Sequence, residues 1–360
     1  MENNKLSSLD IGIFSNFIFR SYFTIGLLNL ILNISTNDSI FSLILGTIMG
    51  FLPLLIFIFL NNNLQEYNIF KKIENTFPRI IHPLLNIILI ISVFLMTSYS
   101  LYNISLFVNY NLLNDIDIIY IAILLILTII YLSSRGIKTI IRVSVIVVFI
   151  FIFISFINII SLLPYCKVSN LYPLLSNSGS HIYISCIYYM ILSVCPIFLL
   201  LIIPKTEVKD KNNYKRYMLL SYIISSIYSL INLIFILSIL GVKLSTILRY
   251  PEIVILQKVS LLNFIERIEA ILSFKILFDL IFILALGIFY IKTGIMDTFK
   301  FKGFKKKYVF DLIIGIIILI SSISLKIDNI YILIIALSVI FFIHILLMIF
   351  IKDKVTHLNQ

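Results

Sequence analysis

Ten times along the chain the residues turn apolar for about the depth of a bilayer, and between these runs they turn polar and charged. The runs fall near 11–34, 39–60, 80–107, 117–133, 142–163, 180–203, 217–241, 268–293, 308–325 and 329–351. A helix needs about 20 apolar residues to cross hydrocarbon. Lipid offers the backbone no hydrogen-bond partner, so each run is expected to span as a helix. The fold class that follows is an all-α membrane protein with about ten transmembrane helices. Nothing between the runs is long enough to fold alone, so 1–360 reads as a single polytopic domain, with five spans in 1–163 and five in 180–351.

The longest connection on one side, Val242 to Arg267, has a pattern of its own. Apolar Ile253, Val254, Leu256, Val259, Leu262 and Ile265 alternate with Glu252, Gln257, Lys258, Asn263 and Glu266, which predicts an amphipathic helix over 250–267 lying at the membrane interface.

Composition sharpens the picture. Of the 360 residues 61% are hydrophobic and 12% charged, far more apolar than a water-soluble domain. With 20 Tyr and no Trp, any aromatic belt is built from Tyr. The net charge of +11 sits in short connections, where insertion bias accounts for it and no nucleic-acid partner is required. With the N-terminus on the cytoplasmic side, 20 of the 28 Lys and Arg fall on that side and six outside, with Arg20 and Lys275 inside spans. This predicts both termini in the cytoplasm. Met1 to Asp10 lacks the pattern of a cleaved signal, and Cys166, Cys186 and Cys195 show no CxxC spacing, so neither zinc nor a disulfide framework is indicated.

Polar residues inside spans are expensive and mark the candidate chemistry. Asn16, Arg20 and Thr24 recur every four residues in the first span, with Gly26 just beyond. Arg20 either faces inward to a ligand, or snorkels or pairs with a structural acid. Lys275 and Asp279, four apart in the eighth span, are able to pair on one helix face, as an ion-coupling site or a structural ion pair. Ser193, Cys195 and Pro196 lie mid-span in the sixth run, where proline removes an amide donor. That segment and Thr24-Ile25-Gly26 are the two candidates for broken helices, the first span of each half, where an inverted five-plus-five transporter places them.

Softer stripes, Ser221, Ser225, Ser229 and Asn232 in the seventh span and Ser92, Tyr99, Tyr102 and Asn103 in the third, read first as helix packing, as does the Gly46/Gly50 pair. His82, His181 and His344 have no second ligand at helical spacing, so no metal is expected. Without a phosphate loop, a nucleophile elbow or a paired carboxylate arrangement, neither enzymatic chemistry nor a cofactor is expected.

The connection entering the eighth span reads Arg249-Tyr250-Pro251-Glu252, then Asn263-Phe264-Ile265-Glu266-Arg267-Ile268-Glu269. It resembles the signature of the B subunits of bacterial spore-germination nutrient receptors. Gly136 with Arg142, Asn170-Leu171-Tyr172-Pro173-Leu174-Leu175, and the Pro196 to Pro204 region before a basic loop follow in the same order. Lys275 departs from the aromatic residue expected there.

The resemblance implies membership of the amino acid, polyamine and organocation transporter superfamily, with inverted repeats whose first and sixth helices break around a midplane site. It further implies sensing of a small nutrient, often an amino acid, in the spore inner membrane, together with an A subunit and a lipoprotein C subunit. On this reading Thr24, Ile25, Gly26, Ser193, Cys195 and Pro196 bound a ligand pocket that the third and eighth helices complete, with Tyr99 or Tyr102 closing it. The alternatives are a free-standing amino acid permease with Asp279 as its ion-linked carboxylate, or an assembly component without ligand.

Overall fold

The computed structural model describes residues 5–175, 178–257, 268–301 and 307–358, and side chains throughout these except 268–272, 307 and 352–358. Every predicted span is helical, and among the described residues there is no strand, only a single bridge from Leu6 to Val208. Among the described residues, eight helical runs are long and apolar enough to cross a bilayer. One of them, Ser8–Leu64, holds the first two predicted spans, and the apolar but shorter helix Ile118–Ser134 supplies the fourth.

The first span is not one rod. Helix α1 (Ser8–Arg20), capped by Ser7 Oγ accepting the Asp10 amide at 3.0 Å, gives way to a wide π-type turn over Phe23–Leu27 before α2 (Leu28–Ser35) resumes. A turn at Thr36–Asp38 leads into α3 (Ser39–Leu64). The connection that follows contains α4 (Ile69–Thr76), which the span pattern does not anticipate. It buries Ile69, Phe70 and Ile73, and Gly294 makes room for the Phe70 ring. Then come α5 (Ile81–Asn111), α6 (Ile118–Ser134) and α7 (Ile137–Leu162), which Gly136 enters at φ +89°.

The sixth predicted span is also divided, into α8 (Gly179–Tyr189), a π-type turn Met190–Val194 and a 3-10 stretch Cys195–Ile202. Helix α9 (Tyr214–Ile247) bends at Gly241, φ +70°, where its predicted span ends. The last elements are α10 (Pro251–Gln257), α11 (Ile268–Thr298), α12 (Lys307–Leu325) and α13 (Ile330–Leu358).

The bundle is organised around α5, which packs on α11 and α13, and around α1, which lies along α9 and against α7. Helix α3 lies on α8 and α9, where Gly46 meets the Tyr189 side chain of α8 and Gly50 meets the Tyr222 hydroxyl of α9, so this small-residue pair packs within the chain. Long apolar side chains on α6, α7 and α12, such as Leu124, Leu127, Phe149, Phe153 and Ile320, point away from the protein. Such an apolar exterior suits hydrocarbon rather than water, and the chain is an integral membrane protein.

Polar links tie the connections together at each end. Near the N-terminus, the Leu6 amide donates to the Glu207 carbonyl at 3.0 Å, and Lys138 pairs with Glu207 at 2.5 Å. Lys300 pairs with Glu74 at 2.8 Å, and this ammonium holds the Glu74 carboxyl below the usual carboxylate range. At the opposite end Lys167 and Asn170 both donate to the Ser238 carbonyl. Of the predicted interfacial helix, Pro251–Gln257 is helical but tucked against α9 and α11, while Lys258 to Arg267 lie outside the described residues.

Candidate functional site

The first break begins where α1 runs out of helical partners. Its last turn bonds back locally, with Ser21 Oγ donating to the Ile18 carbonyl at 2.8 Å, and the Leu27 amide reaches five residues back to Tyr22. Ile25 (φ −96°, ψ 75°) and Gly26 (φ +109°, ψ −43°) leave helical geometry. A side chain at Gly26 is excluded twice over. The backbone occupies a region that favours glycine, and a Cβ would lie 2.6 Å from Ile330 Cδ1 and 3.0 Å from Tyr99 Oη. The sequence Thr-Ile-Gly thus breaks the helix against α5 and the start of α13.

On one side of this break lies a cavity of about 490 Å³. Ile25, Gly26, Asn29 and Asn33 form one wall, Tyr99 and Asn103 of α5 a second, and Arg249, Asp328 and Ile330 the rim. Its polar groups are held in place: Asn29 Nδ2 donates to the Arg249 carbonyl at 2.8 Å, and Asn103 Nδ2 to the Ile327 carbonyl at 3.3 Å. Arg249 Nη2 pairs with Asp328 Oδ1 at 2.7 Å. The guanidinium and carboxylate are half-exposed, so opposite charges stand side by side at the mouth of a partly apolar chamber. That arrangement suits a small zwitterion, whose carboxylate and ammonium match the two charges in reverse.

On the other side of the break is a buried polar cluster around a pocket of about 20 Å³, room for little more than a water. Arg20 Nη2 meets Asp279 Oδ1 at 3.1 Å with side chains only 9% and 8% exposed. Thr24 Oγ1 donates to Glu252 Oε2 at 2.5 Å, and Glu252 is 5% exposed. Lys275 Nζ donates to Ser155 Oγ at 3.1 Å and sits 3.5 Å from the Tyr228 ring centroid. The intrahelical pairing of Lys275 with Asp279 is therefore not formed. Asp279 goes to Arg20 on α1, and Lys275 turns toward α7 and α9, because the packing of α1 on α11 brings a bidentate-capable guanidinium within reach of the acid.

The second break meets the first directly. Ser193 Oγ donates to the Phe19 carbonyl at 2.8 Å, one of the last-turn carbonyls of α1 that helix geometry leaves without a partner. Cys195 and Pro196 are fully buried and, like Ser193, line none of these cavities. Of the sequence-derived site residues, Ile25, Gly26 and Tyr99 share the larger cavity, while Thr24, Lys275 and Asp279 share the small polar pocket. Tyr102 is half-buried and turned off the face that Tyr99 shares with Asn103.

Three residues escaped the sequence reading of the site: Glu252, read as part of an interfacial helix, and Arg249 and Asp328, which lie in connections. The run Arg249-Tyr250-Pro251-Glu252 was the available signal, since it places a cation and an acid beside a helix-starting proline.

We find no match to the chain among curated proteins. The model of a family described as spore germination protein matches residues 11–330, which takes in both helix breaks, α10 and the connection that carries Asp328. A membrane-embedded helical bundle with an interrupted first span and this match over most of its length belongs to the spore germination protein family.

Proposed function

We propose that the chain is the B subunit of a nutrient germinant receptor, in the spore inner membrane with both termini cytoplasmic. It binds a small nutrient, an amino acid, and signals germination together with an A subunit and a lipoprotein C subunit. The observation that supports this reading best is the cavity at the first break, where glycine, a tyrosine and an Arg249–Asp328 pair border a space with ample room for an amino acid. On this reading the nutrient's carboxylate takes Arg249, its ammonium takes Asp328, and Tyr99 and Gly26 bound its side chain. Binding then biases the pairing of the two breaks, which already touch through Ser193 and Phe19. The two halves, 1–163 and 180–351, are proposed to be inverted repeats, each opening on its broken helix.

An ion-coupled amino acid permease is the second reading, and the buried carboxylates Asp279 and Glu252 favour it, because ionisable groups in a membrane interior commonly serve transport. A deletion strain separates the two. Loss of germination toward one nutrient class, with the others retained, is expected for the receptor. Unchanged germination, together with nutrient uptake by vesicles containing this chain alone, would establish the permease instead.

A further inference from the structure

Inside the rim formed by Arg249 and Asp328, the cavity at the first break holds a hydroxyl that bonds to nothing in the chain. We infer that the nutrient is an uncharged amino acid whose side chain carries a hydroxyl or a carboxamide, and that the Tyr99 hydroxyl selects it over its aliphatic isostere. On the receptor reading, on which this depends, Arg249 and Asp328 take the nutrient's two charges and leave its side chain to Tyr99 and Gly26.

The polar groups of the cavity wall differ in what they have left to give. Tyr99 lines the cavity and is 2% exposed, and its hydroxyl is directed at the helix break, since a Cβ on Gly26 would lie 3.0 Å from it. Among the described residues that hydroxyl has no hydrogen-bond partner. Asn103 is engaged: its Nδ2 is shared between the Tyr99 and Ile327 carbonyls at 3.1 and 3.3 Å, and its Oδ1 faces Arg249 Nη2 at 3.5 Å. Asn29 Nδ2 goes to the Arg249 carbonyl, while Asn29 Oδ1 and the Tyr250 hydroxyl are sealed off by their neighbours. Asn33 and Tyr331 are exposed. What remains on the inner wall is Tyr99, a buried donor that is still open to the cavity.

Such a hydroxyl makes its bond to whatever fills the space beside it. An aliphatic side chain seated there takes it out of water and returns nothing, whereas a hydroxyl or a carboxamide supplies both an acceptor and a donor. A site built to hydrogen-bond its ligand rejects the analogue lacking that group more firmly than an apolar wall rejects a change in size. Size decides little here, because about 490 Å³ holds any of these side chains. A charged side chain is unsuited, since Arg249 and Asp328 are the charged residues of the lining and the nutrient's own carboxylate and ammonium occupy both.

The test is equilibrium binding to the full chain in nanodiscs, using radiolabelled amino acids in isosteric pairs: threonine with valine, asparagine with leucine, and asparagine with aspartate for charge. In at least one of the first two pairs the polar member is expected to bind about tenfold more tightly than the aliphatic one, and asparagine more tightly than aspartate. Tyr99→Phe, which removes the hydroxyl and keeps the ring, should bring the polar-to-aliphatic ratio to within about twofold of unity. No polar preference in either pair, or aspartate bound as tightly as asparagine, would overturn the inference and leave the receptor reading standing. So would Tyr99→Phe weakening both members of a pair equally, which would place the hydroxyl on the nutrient's carboxylate instead. Saturable binding of no amino acid, or binding that Arg249→Ala leaves unaltered, would overturn the receptor reading and this inference together.

Discussion

Gly26 and Arg20 lie less than two helical turns apart and face opposite demands. Gly26 keeps backbone away from side chains: alanine there forces an L-residue to φ +109° and drives a Cβ into Ile330 and Tyr99, a strain of about 1–3 kcal/mol. Gly26→Ala is therefore expected to lower thermal stability in detergent modestly while weakening nutrient response more strongly. Arg20 instead needs its partner. Removing one half of a buried pair leaves an uncompensated charge, so Asp279→Ala should cost about 3–5 kcal/mol of stability. Replacing both residues with apolar ones of similar size, Arg20→Met with Asp279→Leu, should recover most of that loss. Thermal unfolding of the unaltered protein, Asp279→Ala and the double variant checks it, and a double variant no more stable than Asp279→Ala would show that the pair does more than neutralise itself.

At the level of elements, the spans and both broken helices were legible because they follow from local chemistry: a bilayer's length of apolar residues, a Thr-Ile-Gly run, a mid-span proline. What those breaks touch was not. Asp279 chooses Arg20, 259 residues away, over Lys275 one turn away, and that choice depends on how α1 packs on α11. Glu252 was misplaced for a similar reason: alternation predicts a helix at an interface but not that Pro251 starts it tucked beneath the first break, where Thr24 awaits the carboxylate. Glu252→Leu should accordingly destabilise the fold by about 1–3 kcal/mol, measured by thermal unfolding, since it strands the Thr24 hydroxyl. Pro196→Ala is expected to behave differently. The Cys195–Ile202 stretch is wholly buried and lines no described cavity, so membrane protein level should fall while the nutrient concentration for half-maximal germination stays put.

For the whole molecule, two chambers of similar volume flank a buried ionic partition, and Arg20 and Tyr228 border both the partition and the apolar groove between α1, α7 and α9. Motion of α1 relative to α11 cannot occur without disturbing the Arg20–Asp279 pair, so on the proposed receptor reading that pair is where ligand occupancy would be converted into a change of shape. The most direct measurement is equilibrium binding of radiolabelled amino acids to the purified chain in nanodiscs, comparing the unaltered protein with Arg249→Ala and Asp328→Ala. The account expects saturable binding of one amino acid that both substitutions weaken by at least about tenfold, the scale of one lost charge-assisted hydrogen bond. Binding that neither substitution alters would contradict it and move the nutrient elsewhere in the bundle.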